Sequence, residues 1–461
     1  METSCPDDKC VPDVVGLKPK DVVSMPLNAD SSTDVLLSEL EAAAKNYDGP
    51  SLSIGRPLFS GPLGRHLIHA VVPALLAVPE IAELTKQHQL CYGSGVGTAL
   101  ADFHIASGLI RRTRALGNAN LAVDELVKLV SSNSAEEQIT LVLAGPQVKS
   151  SVELGDGIML CPIEQVLAPA WYKDLEDERR WPMDKDFQSV RPSAALVLNH
   201  MMQPIFSLKQ RSPNRFPESE IDKLRLAADC MSLVSGKPVA RVAIWCESVD
   251  PRLPIQTSGT TIHEGTDPGI ASVFDVDGPR VIETLNRFAT FEGSKTAVQT
   301  SISRLSKAWR SRFREARVIE LGIALESLLL FQNDGGPREP TTEITYKLAS
   351  RAAWLVGQTP ERRESVFKLV RRLYSLRSAA AHAGVVKVSP DDWESVDAEI
   401  LSSIQLTCEM VLALVQRQTW PDWNRLGSVP IAPVTAALIQ SMAGVHHGKA
   451  VLVERRAVGC P

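Results

Sequence analysis

The pattern of apolar residues changes once along this chain of 461 residues, near Ser294. Before this point, short runs rich in β-favouring residues alternate with helical segments. After it, apolar residues recur every three or four positions almost as far as Val415. The change predicts an α+β protein, with a mixed α/β domain over residues 31–291 followed by an all-α helical bundle over residues 294–425.

The first part is predicted to hold an incomplete sheet and several helices. Strands are expected at residues 138–145, around Val152 and Ile158, at 194–202 and at 239–246. A first helix is expected to bury Val35, Leu36, Leu40 and Ala44. Further helices are predicted near residues 64–84, 98–116, 123–130 and 218–233. Residues 1–30 lack periodicity and are predicted to be a disordered leader.

The second part reads as helices joined by short connections. Helical segments are predicted at residues 295–331, 342–356, 362–383 and 391–415. Connections this short favour an up-and-down bundle in which sequential helices are antiparallel neighbours. Residues 426–461 are a less regular tail.

Charge is divided unequally between the two parts. Residues 301–380 carry 15 Lys and Arg against 8 Asp and Glu, a net +7, although the whole chain has a net charge of −5. The rest of the chain is therefore about −12. A basic helical part favours an anionic ligand, with a solvated arginine face as the equally weighted alternative.

Nothing in the sequence points to a membrane, a metal or a cofactor. The longest apolar stretch, residues 66–84, is interrupted by Pro73, Pro79 and charged side chains, so it is not expected to span a bilayer. The eight cysteines form no CxxC pair and fall mostly in apolar runs, a pattern typical of reduced thiols. A cytoplasmic protein is therefore expected.

Four residues separate Arg377 from His382 in the third predicted helix. Its apolar residues define one buried stripe, with Arg377 close to the middle of the stripe. At about 100° per residue, His382 points roughly 140° away from Arg377. A site that used both side chains would need a distorted helix end, the full reach of Arg377, or a second copy of the chain.

An arginine on a buried stripe requires a partner, because an uncompensated buried charge is strongly destabilising. Glu326, in the very apolar stretch 316–331, is the best candidate in the sequence. We therefore predict that Glu326 pairs with Arg377 across the core of the bundle. Arg351 is the rival partner for Glu326.

Three segments carry a family resemblance: ARVIELGIALESLLL, EITYKLASRAAWLVG and ERRESVFKLVRRLYSLRSAAAHAG. Their order and spacing resemble the Apea-like branch of the HEPN superfamily, over about residues 294–425. The resemblance implies a helical bundle that dimerises through its motif-bearing helices. It also implies metal-independent RNA cleavage by an Arg-x4-His motif, here Arg377, Ser378 and His382. The run of alanines before His382 departs from the larger apolar residues common in the family.

The sequence thus predicts a HEPN-type endoribonuclease, in prokaryotic defence or stress response, with the N-terminal domain regulating or targeting it. RNA, a second copy of the chain and an unidentified regulator are the expected partners. Two alternatives stay open. One is a non-catalytic HEPN interaction or scaffold module, in which Arg377 is structural and His382 is incidental. The other is a ligand-sensing regulator that acts through the N-terminal domain.

Overall fold

The computed structural model describes residues 31–47, 62–91, 97–166, 192–208, 218–253, 273–311, 313–331, 343–386 and 392–423. The predicted leader and the predicted tail both lie outside these ranges. Within them the protein is α+β, with strands confined to its N-terminal part.

The first part begins with a helical group. Its helices are α1 (Ser31–Asn46), α2 (Pro62–Leu76), α3 (Pro79–Gln87), α4 (Asp102–Leu116) and α5 (Ala119–Ser132). Leu36, Leu40, Val71, Leu75 and Ile105 are among the buried residues that these helices pack together. Regular spacing of apolar residues on each helix produces this core, because residues three and four apart share one helical face.

A five-stranded antiparallel sheet follows. Its strands, in spatial order, are β5 (Val152–Gly155), β6 (Ile158–Pro162), β7 (Ala194–Met202), β3 (Ala135–Ala144) and β9 (Ala240–Ser248). Leu141 is aligned with Leu196 on β7 and with Ile244 on β9. These three side chains belong to the face that packs against helices α6 (Glu218–Ser235) and α7 (Gly278–Ala289).

Two smaller pairings complete the strands. Strand β1 (His88–Cys91) lies between β2 (Gly97–Ala99) and β8 (Phe206–Leu208), antiparallel to both. Strand β4 (Pro146–Gln147) pairs in parallel with β10 (Phe274–Asp275). The short β4–β10 pair connects the segment before α7 to the segment that follows β3.

The second part is a bundle of five helices. They are α8 (Lys295–Arg310), α9 (Arg314–Leu329), α10 (Ile344–Val356), α11 (Pro360–Ala383) and α12 (Trp393–Arg417). Helices α9 and α12 each contact all four other helices of the bundle. Leu321, Leu325, Leu373, Ile404 and Met410 are buried in its core.

Several predicted boundaries were wrong. The segment 295–331 is two helices rather than one, separated at Ser311–Phe313, where Arg317 Nε donates to the Ser311 carbonyl at 2.7 Å. The segment 64–84 is also two helices, which meet at 107° where Pro79 opens the second. The helix predicted at residues 98–116 begins only at Asp102, and Thr98 lies in strand β2 instead. Val35 is 54% exposed, so α1 buries Ala43 in place of it.

The two parts share a core. Leu233 of α6 and Phe288 of α7 belong to the same buried cluster as the bundle residues. The junction is also hydrogen-bonded: the Glu292 amide donates to the Gln418 carbonyl at 2.9 Å, and Gln418 Nε2 donates to the Arg287 carbonyl at 3.0 Å. Helix α12 therefore packs against both parts of the protein.

Among the described residues, one helix, α12, is long and apolar enough to cross a membrane, and the bent pair α2–α3 passes the same test if it is counted as one span. In α12, 67% of the most apolar window is buried inside the protein. The central helix of a folded bundle meets the same criteria of length and composition.

Candidate functional site

Arg377 lies where α11 passes close to α9. A Cβ atom added to Gly322 of α9 would lie 2.6 Å from Arg377 Cγ and 3.2 Å from its Nε. Such contacts are too close for a side chain, so glycine is the residue that allows the arginine stem to lie against the α9 backbone. Arg377 Nε is buried there and has no hydrogen-bond partner within the described ranges.

The Arg377 guanidinium is held by two side chains. Its Nη2 atom lies 3.2 Å from Glu326 Oε1, and its Cζ atom lies 5.3 Å from the centre of the Tyr374 ring. The predicted Arg377–Glu326 pair is thus confirmed. Both side chains keep about a quarter of their surface exposed, at 26% and 28%, so the pair lies at the edge of the bundle rather than deep in its core.

Tyr374 completes this cluster. Its hydroxyl donates to Glu326 Oε1 at 2.8 Å. Partial burial, followed by the hydrogen bond and the charge of Glu326, raises the pKa of Tyr374 to about 12. The phenol therefore stays protonated, and remains a donor to the carboxylate, throughout the physiological range.

Arg351 has a different role from the one proposed for it as a rival partner of Glu326. Its side chain is 6% exposed, and its Nη1 atom donates to the Leu329 carbonyl at 2.6 Å. That carbonyl is in the last turn of α9, where backbone acceptors lack helical partners. The guanidinium also lies 5.5 Å from the Trp423 ring. Arg351 thus caps α9 and anchors the segment after α12.

His382 lies in the last turn of α11 and is exposed. The helix remains regular through Ala383 and ends at Gly384, which has φ of 70°. A distorted helix end therefore does not turn His382 towards Arg377. Ser378 is half-buried between them. The structure brings Arg377 and Glu326 together but leaves His382 on another face of α11.

The sequence did not identify Gly322 or Tyr374 as part of this cluster. Gly322 had a recognisable signal, because a glycine inside an otherwise apolar helix often marks close backbone approach. Tyr374 had none. Its position next to the buried stripe is equally compatible with ordinary packing.

Chemically, the cluster offers a fixed cation and, further along the helix, an accessible imidazole. A guanidinium can stabilise negative charge on a phosphate, and an imidazole can accept or donate a proton near neutral pH. In the part of the chain that the structure describes, no three His, Cys, Asp or Glu side chains converge as a metal site. Comparisons of the chain with protein-family models, with curated proteins and with solved structures give no significant match.

Proposed function

We propose that the helical bundle is a HEPN-type, metal-independent endoribonuclease, cytoplasmic and acting in prokaryotic defence or stress response. The proposal draws on the resemblance of three ordered segments to the Apea-like HEPN branch. It also draws on the basic charge of residues 301–380. RNA is the substrate, and no metal takes part in the proposed chemistry.

The observation that carries the proposal is the presence of a fixed arginine and an exposed histidine on one helix, with four residues between them. Arg377, held by Glu326 and Tyr374, would stabilise the charge that develops on the phosphate during attack. His382, being exposed, would take the proton of the ribose 2′-hydroxyl or supply one to the leaving oxygen. Ser378 would donate a hydrogen bond to the phosphate. The product end would be a 2′,3′-cyclic phosphate.

The orientation of the two side chains makes dimerisation part of the proposal. Because α11 is regular and the side chains point to different faces, His382 of one copy would act with Arg377 of the other. Ala379, Ala380 and Ala381 would allow two such helices to approach closely. The N-terminal part would restrain or target the nuclease, since an unregulated RNase endangers its host.

The first experiment is an RNA cleavage assay in EDTA, with end mapping. We expect cleavage by the full-length protein, and its loss in both Arg377→Ala and His382→Ala at unchanged circular dichroism. His66→Ala, which removes an exposed histidine from α2, serves as the matched control and should cleave normally. Cleavage that persists in both site variants would exclude this site.

A mixing experiment tests the composite site. Co-expressed Arg377→Ala and His382→Ala chains, separately tagged and purified as the mixed dimer, would contain one intact site built from the two undamaged residues. The purified mixed dimer would therefore have about half of the wild-type number of intact sites, because its second site lacks both residues. Inactive mixed dimers, beside an active wild type, would mean that each site lies within one protomer.

A non-catalytic interaction module is the second candidate function. It is favoured by the ion pair between Arg377 and Glu326, because this structural contact explains the arginine on the apolar stripe of α11 without a catalytic role. A purified full-length protein that forms dimers but leaves RNA intact under all conditions would support this module. The remaining alternative, ligand sensing through the N-terminal part, has no specific observation in its favour.

A further inference from the structure

A row of side chains runs along the outer face of α11 and ends at His382. Its members are spaced three or four residues apart: Phe367, Arg371, Tyr374, Ser378 and His382. At 100° per residue they fall within about 80° of one another, and at 1.5 Å per residue the row is about 22 Å long. Arg371 and His382 are exposed, and the other three are half-buried. Every position of the row is therefore at least partly accessible.

Aromatic rings dominate the end of the row far from His382. Tyr346 of α10 is 60% exposed, and its ring packs edge-to-face on Phe367 with centroids 5.6 Å apart. Arg371 Cζ lies 5.7 Å from the centre of the Phe367 ring. Tyr374 comes next and carries Arg377 over its ring. Aromatic and guanidinium groups thus alternate along one surface.

The charge of this surface is suited to an anion. Arg371 forms no ion pair with any carboxylate in the described ranges. Lys368 is paired with Glu364 at 2.5 Å, and Arg377 with Glu326 at 3.2 Å. The only free charge on the row is therefore positive, and it lies between two aromatic rings.

We propose that Tyr346, Phe367, Arg371 and Tyr374 form a binding track for single-stranded RNA that leads along α11 to His382. This inference rests on the proposed nuclease function and names the form of its substrate. Unpaired bases can stack on exposed rings, whereas bases within a duplex cannot reach them. Arg371 would bind the phosphate between two stacked bases, as guanidinium groups do.

A second copy of the chain is the competing occupant of the row. Such a copy would have to bury Arg371, yet the row has no free carboxylate to offer in exchange, because Glu326 and Glu364 are already engaged. Dimer contacts are better suited to the alanines that precede His382. The track and the dimer contact would thus occupy successive parts of α11.

The test measures binding separately from cleavage. Fluorescence anisotropy would follow a labelled oligouridylate with 2′-O-methyl groups, which cannot form a cyclic phosphate. We expect Tyr346→Ala to raise the Kd at least about five-fold through lost stacking. Arg371→Ala should raise it several-fold and reduce the slope of log Kd against log salt by about one. Both side chains are exposed, so the variants should fold.

Arg372→Ala is the matched control. Arg372 is the next residue and is also exposed, but it points about 100° away and pairs with Glu399 at 3.0 Å. Its Kd should match that of the wild type. The track would be overturned if the Tyr346 and Arg371 variants bound the oligouridylate with the same affinity as the Arg372 variant. It would also be overturned if the wild type bound an RNA duplex as tightly as the single strand. A change of oligomeric state in the Tyr346 or Arg371 variant would instead identify the row as an interface between copies.

The outcomes also separate this inference from the proposed function. Wild-type cleavage together with undiminished binding by the Tyr346 and Arg371 variants would remove the track and leave the nuclease standing. Selective loss of binding in those variants, in a protein that cleaves no RNA, would support the track and overturn the nuclease. Absence of both cleavage and binding in the wild type would overturn both.

Discussion

Gly322 and Arg377 depend on each other. The arginine reaches Glu326 by lying against the α9 backbone, and a single methyl group on Gly322 would occupy the space of its Cγ atom. An interior helical glycine is unfavourable by about 1 kcal/mol relative to alanine. The close crossing of α9 and α11 therefore offsets an intrinsic penalty in α9.

We predict that Gly322→Ala destabilises the protein by about 1–3 kcal/mol in spite of its better helix propensity, because the new Cβ atom displaces the arginine stem. Urea denaturation measures the effect. In an Arg377→Ala background the same substitution should instead stabilise the protein, since the clash is gone and propensity alone remains. Equal effects of Gly322→Ala in the two backgrounds would show that Arg377 does not determine the need for glycine.

Some contacts of the candidate site could be predicted from the sequence and others could not. The Arg377–Glu326 pair could be predicted because both charges lie on apolar stripes of helices in one bundle, where a single countercharge is the simplest solution. The role of Arg351 could not be predicted in the same way. Its partner is a backbone carbonyl at the end of α9, and every helix offers such acceptors.

At the level of elements, the central strands were the easiest to predict. The predicted strand at residues 194–202 coincides with β7, because a central strand buried on both faces is a nearly continuous apolar run. Helix breaks were harder. The sequence between α8 and α9 contains no glycine or proline, and the hydrogen bond from Arg317 Nε to the Ser311 carbonyl cannot be predicted from the spacing of apolar residues.

Strand β9 contains a buried acidic residue, Glu247, which is aligned with Gln138 of β3. Glu247 is 3% exposed, and its Oε2 atom has no hydrogen-bond partner among the described residues. Burial raises the pKa of this carboxyl to about 7. Its folded-state pKa is thus above the unfolded value near 4.5, so the stability that the protonated form contributes is complete below about pH 4.5 and is lost as the pH rises through about 7.

We predict that Glu247→Gln is more stable than the wild type at about pH 8, by an amount on the order of 3 kcal/mol, and that most of this advantage is gone at about pH 5. Urea denaturation at the two pH values measures the difference. Glu136→Gln alters an exposed glutamate of β3 and is the matched control, with no pH-dependent gain expected. A constant stability difference between Glu247→Gln and the wild type would contradict the raised pKa.

At the scale of the whole molecule, Gln418 links the two parts of the protein by hydrogen bonds. It ends α12 with φ of 65°, and its side chain bonds to both sides of the boundary. Its Nε2 atom donates to the carbonyls of Val415 and Arg287, and its Oε1 atom accepts from Thr290 Oγ1 at 2.6 Å. One side chain thus links the end of the bundle to the end of α7.

We predict that Gln418→Gly lowers the free energy of unfolding by about 1–2 kcal/mol. Glycine accepts the left-handed backbone, so the loss does not come from backbone strain at residue 418. Hydrogen exchange should show faster opening of α7 and of the end of α12, with little change in α1 or α2. Gln299→Ala, at an exposed position of α8, is the control. Unchanged exchange in α7 would mean that the apolar contacts hold the junction unaided.

The shared core has a consequence for the ancestry of this protein. Helix α12 packs on α6 and α7 as well as on the rest of the bundle, and Leu233 and Phe288 are buried in the bundle core. A recombination event that joined the bundle to a different N-terminal domain would expose to water the apolar surface that now packs against α6 and α7. We therefore expect the two parts to be inherited together. An exchange of the N-terminal domain should succeed only where α6 and α7 are kept with the bundle.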